Sequence, residues 1–242
     1  MSEATKNKIR VLLQTLERRF GKVERQEFMP PPASADMDAA LAVATRNSEI
    51  VAAAVLGLHG PPQDGVESAR KLMGCYVDWN EIRVANRESL ARTMGKDPRA
   101  MERATSLQRF LEAFFLRQRN MNLECLVQMK PSERKQFLSD IEVFSREELA
   151  AILLTCFGHP TFPPSEVLNR VALRCGLLRP KTTALQMCKI FEKGLTPQEL
   201  LNLYSHLYSV ALKHCHEEAP ECGGCPLKPR CPSAKQFSKP RK

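Results

Sequence analysis

The segment Cys215-His216-Glu217-Glu218-Ala219-Pro220-Glu221-Cys222-Gly223-Gly224-Cys225-Pro226-Leu227-Lys228-Pro229-Arg230-Cys231 spaces four cysteines as C-x6-C-x2-C-x5-C. One short clip flanked by two longer spans lets four thiolates of a single loop converge on the corners of a compact metal centre, and a [4Fe-4S] cluster is held in that way. Gly223 and Gly224 permit the tight backbone of the clip, while Pro220, Pro226, Pro229 and Pro232 stiffen the loop and exclude a long helix. Two other readings use the same residues. A four-cysteine zinc site usually pairs two short knuckles across a spacer, and only one knuckle exists here. Two disulfides would need an oxidising compartment. The five further cysteines, Cys75, Cys125, Cys156, Cys175 and Cys188, sit in helical stretches with no secretory signal ahead of them, the usage of a reduced intracellular chain.

Outward from that loop, apolar residues recur at helical spacing and almost no strand pattern occurs, so the sequence predicts an all-α fold. The helix leading into Cys215 spans 196–215 and carries Leu200, Leu203, Tyr204, Leu207 and Val210 on one face, with Thr196 and Glu199 forming a capping box at its start. An N-terminal helix over 6–20 places Ile9, Leu12, Leu13, Leu16 and Phe20 on a core stripe. Pro30-Pro31-Pro32 breaks the chain, and an alanine-rich stretch over 37–58 reads as one buried helix or two short ones. Further helices are expected over 65–73, 87–94, 98–115, 123–127, 131–140, 145–155, 165–175 and 182–191, with Ser132, Ser145 and Ser165 as N-caps. Residues 232–242 form a basic tail, read as mobile.

The chain has 242 residues, 43% of them hydrophobic, enough for one large core or two smaller ones. No apolar run approaches the about 20 residues that cross a bilayer, so a cytoplasmic, monomeric protein without a membrane partner is expected. A net charge of +9 and a pI near 9.2 would attract polyanions, and equally serve solubility. The basic N-terminal face reads as a solvated surface, and His206 and His214 as surface or core-edge residues. Trp79 reads as a packing anchor, with Glu81 and Arg83 in local salt bridges.

The cysteine spacing, the helix before it, and Phe157-Gly158-His159-Pro160-Thr161 ahead of Val167-Leu168-Asn169-Arg170-Val171 together resemble endonuclease III and its relatives. These are helix-hairpin-helix (HhH-GPD) DNA glycosylases with a [4Fe-4S] cluster, and the resemblance runs from about residue 51 to the C-terminus. Val77-Asp78-Trp79-Asn80-Glu81-Ile82-Arg83 and the later Phe162-Pro163-Pro164 resemble the plant DNA-demethylase branch of that superfamily. The resemblance implies two helical lobes: a six-helix barrel over 45–160 with a hairpin, and a terminal lobe from 1–44 and 161–214 that continues into the cluster loop 215–231. It implies Cys215, Cys222, Cys225 and Cys231 as cluster ligands, and duplex DNA as partner with the target nucleotide flipped out of the stack.

The family's hairpin signature, Leu-Pro-Gly-Val-Gly-Arg-Lys, falls on Ile141-Glu142-Val143-Phe144-Ser145-Arg146-Glu147. Both glycines are gone, and the nucleophilic lysine is Glu147. The catalytic aspartate falls on Ser165. A carboxylate cannot form a Schiff base, and a serine hydroxyl carries no charge to stabilise an oxocarbenium ion. Glu142 would set a negative charge beside the DNA backbone, as would the carboxylates of the first cysteine span, whereas Arg146, Lys228 and Arg230 are candidate DNA contacts. The duplex-wedging glutamine of relatives falls on His59. The expected function is therefore DNA binding without base excision. A displaced carboxylate such as Glu166 could instead support an active DNA glycosylase, and a third reading is a structural or interaction iron-sulfur protein that has abandoned DNA.

Overall fold

A computed structural model describes residues 3–27, 37–58 and 61–237. Among the described residues the chain is all-α, with thirteen α-helices, one 3-10 turn and no strand. It divides into two compact units, one made of Met1–Arg25, His59–Pro61 and Gly158–Lys242, the other of Gln26–Leu58 and Pro62–Phe157. The triple proline and His59 lie outside the described residues.

The second of these units holds α2 (Met37–Leu56), α3 (Pro62–Met73), α4 (Trp79–Val84), α5 (Arg87–Met94), α6 (Ala100–Gln118), α7 (Cys125–Gln128), α8 (Pro131–Asp140) and α9 (Arg146–Thr155). The alanine-rich stretch is a single helix, α2, packed against α3, α6 and α9. Contrary to the expectation from sequence, α2 is long and apolar enough to cross a membrane by length and composition, and half of its apolar window is buried inside the protein. Gly65 makes the α2–α3 crossing close: a Cβ there would collide with the backbone of Ala53 and Gly57. An aromatic cluster of Phe110, Phe114, Phe137 and Phe144, with ring centroids 5.6–5.9 Å apart, joins α6 to α8 and to the turn that follows it.

A buried ion cluster fixes the same unit. Arg103, 2% exposed, donates to the Leu56 carbonyl (2.7 Å), while Asp64 (3.1 Å) and Asp97 (2.9 Å) supply its counter-charge. Trp79 is buried, as expected of an anchor, in the short helix α4 that periodicity did not reveal. Asp78 caps α4, and Arg83 pairs with Glu112 (2.5 Å). Glu81 accepts a hydrogen bond from the Val77 amide, not a salt bridge.

The other unit contains α1 (Glu3–Phe20), α10 (Glu166–Arg174), α11 (Ala184–Glu192), α12 (Pro197–Lys213) and α13 (Ala234–Phe237). Ile9, Leu12, Leu13 and Leu16 of α1 are buried, and α1 packs on α12, as does α10. Phe162 meets Phe191 and Tyr204 edge-on, and Tyr204 meets Tyr208, so the segment before α10 is locked onto α11 and α12. Glu192 accepts from the Phe162 amide (2.8 Å) and the Thr161 hydroxyl (3.2 Å), which sets the entry to α10.

Local capping followed the sequence at Ser145, Thr183 and Thr196, each in a reciprocal capping box. Ser132 is not a cap: Pro131 already occupies the first turn of α8, and Lys130 is its N-cap. His206 is not a surface residue either. It is 1% exposed and stacks on Phe20 with ring centroids 6.1 Å apart. The beginning of the expected mobile tail is ordered into α13, with Ala234 buried and the Arg174 guanidinium 4.8 Å above the Phe237 ring.

Candidate functional site

The four cysteines of the loop come together. Cys215, Cys222, Cys225 and Cys231 line one cavity with Arg174, Cys175, His214, Leu227 and Lys228. Two helices set this geometry. α12 delivers Cys215, whose amide donates to Val210 O at 2.8 Å. α10 presents Arg170 and Arg174, one helical turn apart and therefore on one face. Arg170 donates to the Cys215 carbonyl (3.2 Å). Arg174 donates to Cys215 Sγ (3.5 Å) and to the carbonyls of His216 (2.6 Å) and Glu217 (2.7 Å). The long C-x6-C span is thus clamped by two guanidiniums, and the Glu217 carboxylate faces Arg170 at 3.8 Å. The sequence offered a signal for this pair, two arginines at i and i+4 on the helix preceding the loop, but not its target.

The thiols are electrostatically unequal. Burial pushes Cys222 and Cys225 up from the ordinary thiol range. Cys231 is pulled down to about 6, chiefly by a hydrogen bond with Cys175, which in turn is pushed up. Cys175 is the residue that spacing did not reveal: it follows α10 directly and reaches the last cysteine of the loop. All nine cysteines are free. Among the described residues, no three His, Cys, Asp or Glu side chains converge closely enough to hold a single metal ion. A cubane's ligand sulfurs sit at its corners, farther apart than the ligands of one ion. The donor set of this cavity, four thiols with a guanidinium at one of them, fits such a cluster.

The residues matching the family's excision machinery are placed as follows. Ile141–Ser145 joins α8 to α9, so a helix-turn-helix hairpin is present. Its left-handed residue is Glu142 (φ 50°), one position before Val143. Ser145 and Glu148 close a capping box: the Glu148 amide donates to Ser145 Oγ (3.2 Å) and the Ser145 amide to the Glu148 carboxylate (2.7 Å). Glu147 and Glu148 occupy the first turn of α9, where carboxylates suit the helix dipole, and Arg146 is exposed beside them.

In the other unit Ser165 is buried, 1% exposed, at the N-cap of α10 without making a capping bond, and its hydroxyl lies 3.4 Å from the Tyr208 hydroxyl. Glu166 is exposed on the first turn and accepts a long 3.5 Å bond from Asn169. Lys228 and Arg230 are exposed on the 3-10 turn of the cysteine loop.

No protein-family model matches this chain. Among curated proteins it is similar to the DNA glycosylase/AP lyase ROS1 and to DEMETER-like protein 3, both of Arabidopsis thaliana. Each is 25% identical over 172 residues, covering 64% of this chain and 12% and 16% of those proteins. Protein ROS1C of Oryza sativa subsp. japonica is 22% identical over the same length, 9% of its own. The chain therefore spans less than a fifth of the length of these relatives. Among solved structures, a trapped endonuclease III–DNA covalent intermediate superposes with a TM-score of 0.57 at 18% identity, over 97% of this chain and 99% of that one. A thermostable thymine-DNA glycosylase gives 0.54 at 15% identity, over 97% and 100%. The chain carries the all-α fold of the endonuclease III-like helix-hairpin-helix superfamily and resembles its ROS1 and DEMETER branch in sequence.

Proposed function

We propose that this chain is an endonuclease III-like [4Fe-4S] protein that binds duplex DNA without excising a base. The observation that carries the reading is the state of the two positions where the family keeps its reactive groups. Glu147 stands where a nucleophilic amine would be, and a carboxylate cannot attack the sugar carbon to form an imine. Ser165 stands where the aspartate would be, buried, with its hydroxyl beside Tyr208. Neither is a base near neutral pH. Glu166 follows Ser165, but one step along a helix turns a side chain by about 100°, and this carboxylate is exposed to solvent.

Cys215, Cys222, Cys225 and Cys231 would hold the cluster, supported by the shared cavity, the acidified thiol of Cys231 and the Arg174 donor at Cys215. When bound, the cluster supplies a one-electron redox centre and ties the loop to α10 and α12. DNA affinity is supported by the +9 charge and by the exposed cations Arg146, Lys228 and Arg230. The hairpin makes a weak phosphate grip, because two backbone groups that an anion would meet, the amides of Ser145 and Glu148, are already bonded within the capping box.

The test is a gel-shift series against salt together with glycosylase assays on duplexes carrying oxidised pyrimidines, uracil or thymine mismatches, or abasic sites. Cluster-replete protein is expected to bind DNA with an affinity that falls steeply as salt rises, and to release no base. Base release abolished by Glu166→Gln would replace this reading with an active glycosylase that uses the displaced acid. Release that persists in Glu166→Gln points to a contaminating enzyme. Absence of binding at low salt would replace it with a structural or interaction role.

A further inference from the structure

Two consecutive residues at the end of α10 serve opposite ends of the cysteine loop. Arg174 donates to the sulfur of Cys215, the first cysteine, and Cys175 is hydrogen-bonded to the sulfur of Cys231, the last. Cys175 is the fifth thiol in the wall of the cavity that the other four line, and it also lines a neighbouring cavity of about 370 Å³ together with Cys231, Leu12, Leu177, Leu227 and Arg230. It is therefore placed on the loop side of α10, not in the helical core.

The environment of Cys231 explains what a thiol there can do. Its Sγ lies 3.2 Å from the Arg174 carbonyl oxygen, to which the free thiol donates. A cysteine bound to iron has no proton to give, so that carbonyl would confront a negatively charged sulfur across the same distance. An S–H group beside it offsets this by donating to the sulfur. Donors at ligand sulfurs draw charge away from a cluster and favour its reduced, more negative state.

We propose that Cys175 is a positioning residue of the cluster, whose thiol donates to Sγ of Cys231 and, with Arg174 at Cys215, raises the potential at which the cluster accepts an electron. This rests on the cluster reading above, and no role for Cys175 as a fifth ligand is needed.

The experiment is a redox titration of anaerobically purified, full-length protein, followed by visible absorbance and electron paramagnetic resonance, in wild type, Cys175→Ala, Cys175→Ser and Leu177→Ala. Removing the donor in Cys175→Ala is expected to disfavour reduction by about tenfold, a shift of about 59 mV to more negative potential for a one-electron couple. A hydroxyl is a stronger donor than a thiol, so Cys175→Ser is expected at or above the wild-type potential. Leu177→Ala loosens the wall of the neighbouring cavity without touching the donor and is expected to leave the potential unchanged.

A Cys175→Ala potential equal to wild type overturns the inference, as does an equal negative shift in all three variants, which would report solvent entry alone. Should the alanine variant fail to retain iron, the serine variant decides: a raised potential supports the donor role and an unchanged one overturns it. Wild-type protein that takes up no iron and sulfide overturns the cluster reading and this inference with it, an outcome distinct from iron-replete protein whose potential ignores Cys175.

Discussion

The side chain of Glu148 reaches back to the amide of Ser145 at 2.7 Å while the hydroxyl of Ser145 accepts from the amide of Glu148 at 3.2 Å, so the hairpin turn ends in a closed, negatively charged cap. Removing the hydroxyl in Ser145→Ala is expected to lower stability by about 1 kcal/mol, read as a fall in the urea midpoint at constant slope. Opening the cap to anions should have the opposite sign for DNA. Glu142→Gly relieves a left-handed residue, removes a charge and frees the turn to approach phosphate. Combined with Glu148→Ala, it is expected to tighten DNA binding and steepen its salt dependence in gel shifts. Unchanged affinity would separate the hairpin from any DNA contact.

Arg174 holds the first cysteine span through one sulfur and two carbonyls. Arg174→Met keeps much of the side chain's bulk and removes every donor, so iron should leave about 10- to 100-fold more readily, a typical loss when a ligand's supporting partner is removed. Chelator-driven bleaching of the visible absorbance measures this directly.

Arg103 is buried between the Leu56 carbonyl, Asp64 and Asp97. Arg103→Ala strands two carboxylates and a carbonyl, and is expected to destabilise the protein by about 3–5 kcal/mol in chemical denaturation. Arg103→Lys keeps the charge but not the fork that meets three partners, and should recover only part of the loss.

Gly65 lies where α3 crosses α2, with no room for a β-carbon. Gly65→Ala would gain helix propensity on an exposed helix, yet here it must push two backbones apart, at a cost of about 1–3 kcal/mol or more. A lowered midpoint in thermal or urea unfolding checks the sign.

His206 is held below the ordinary imidazole range by burial, partly opposed by the Glu17 carboxylate. The folded protein thus keeps it neutral while the unfolded chain takes up a proton near its ordinary pKa of about 6.5. Its contribution is fully present above that value and is lost as pH falls from about 6.5 toward the lower folded value, because the unfolded state then binds more protons. Urea midpoints measured from pH 7.5 to pH 5 should decline, and His206→Phe should decline less steeply over that window.

Periodicity and short-range capping are local properties, and the sequence by itself determined what depends on them: an all-α chain, the buried stripes of α1 and α12, the caps at Ser145 and Thr196, and four cysteines in a single short loop. It misread what depends on which helix lies behind which, as with the burial of His206 and the docking of the tail through Phe237 onto Arg174. Only the tertiary structure decided that Ser165 is buried beside Tyr208, 43 positions away, and that the end of α10 lies against Cys231, 57 positions after Arg174. A hydrogen bond between such distant residues leaves no repeat in the chain. It exists because the apolar faces of α10 and α12 pack together and carry their polar neighbours into reach.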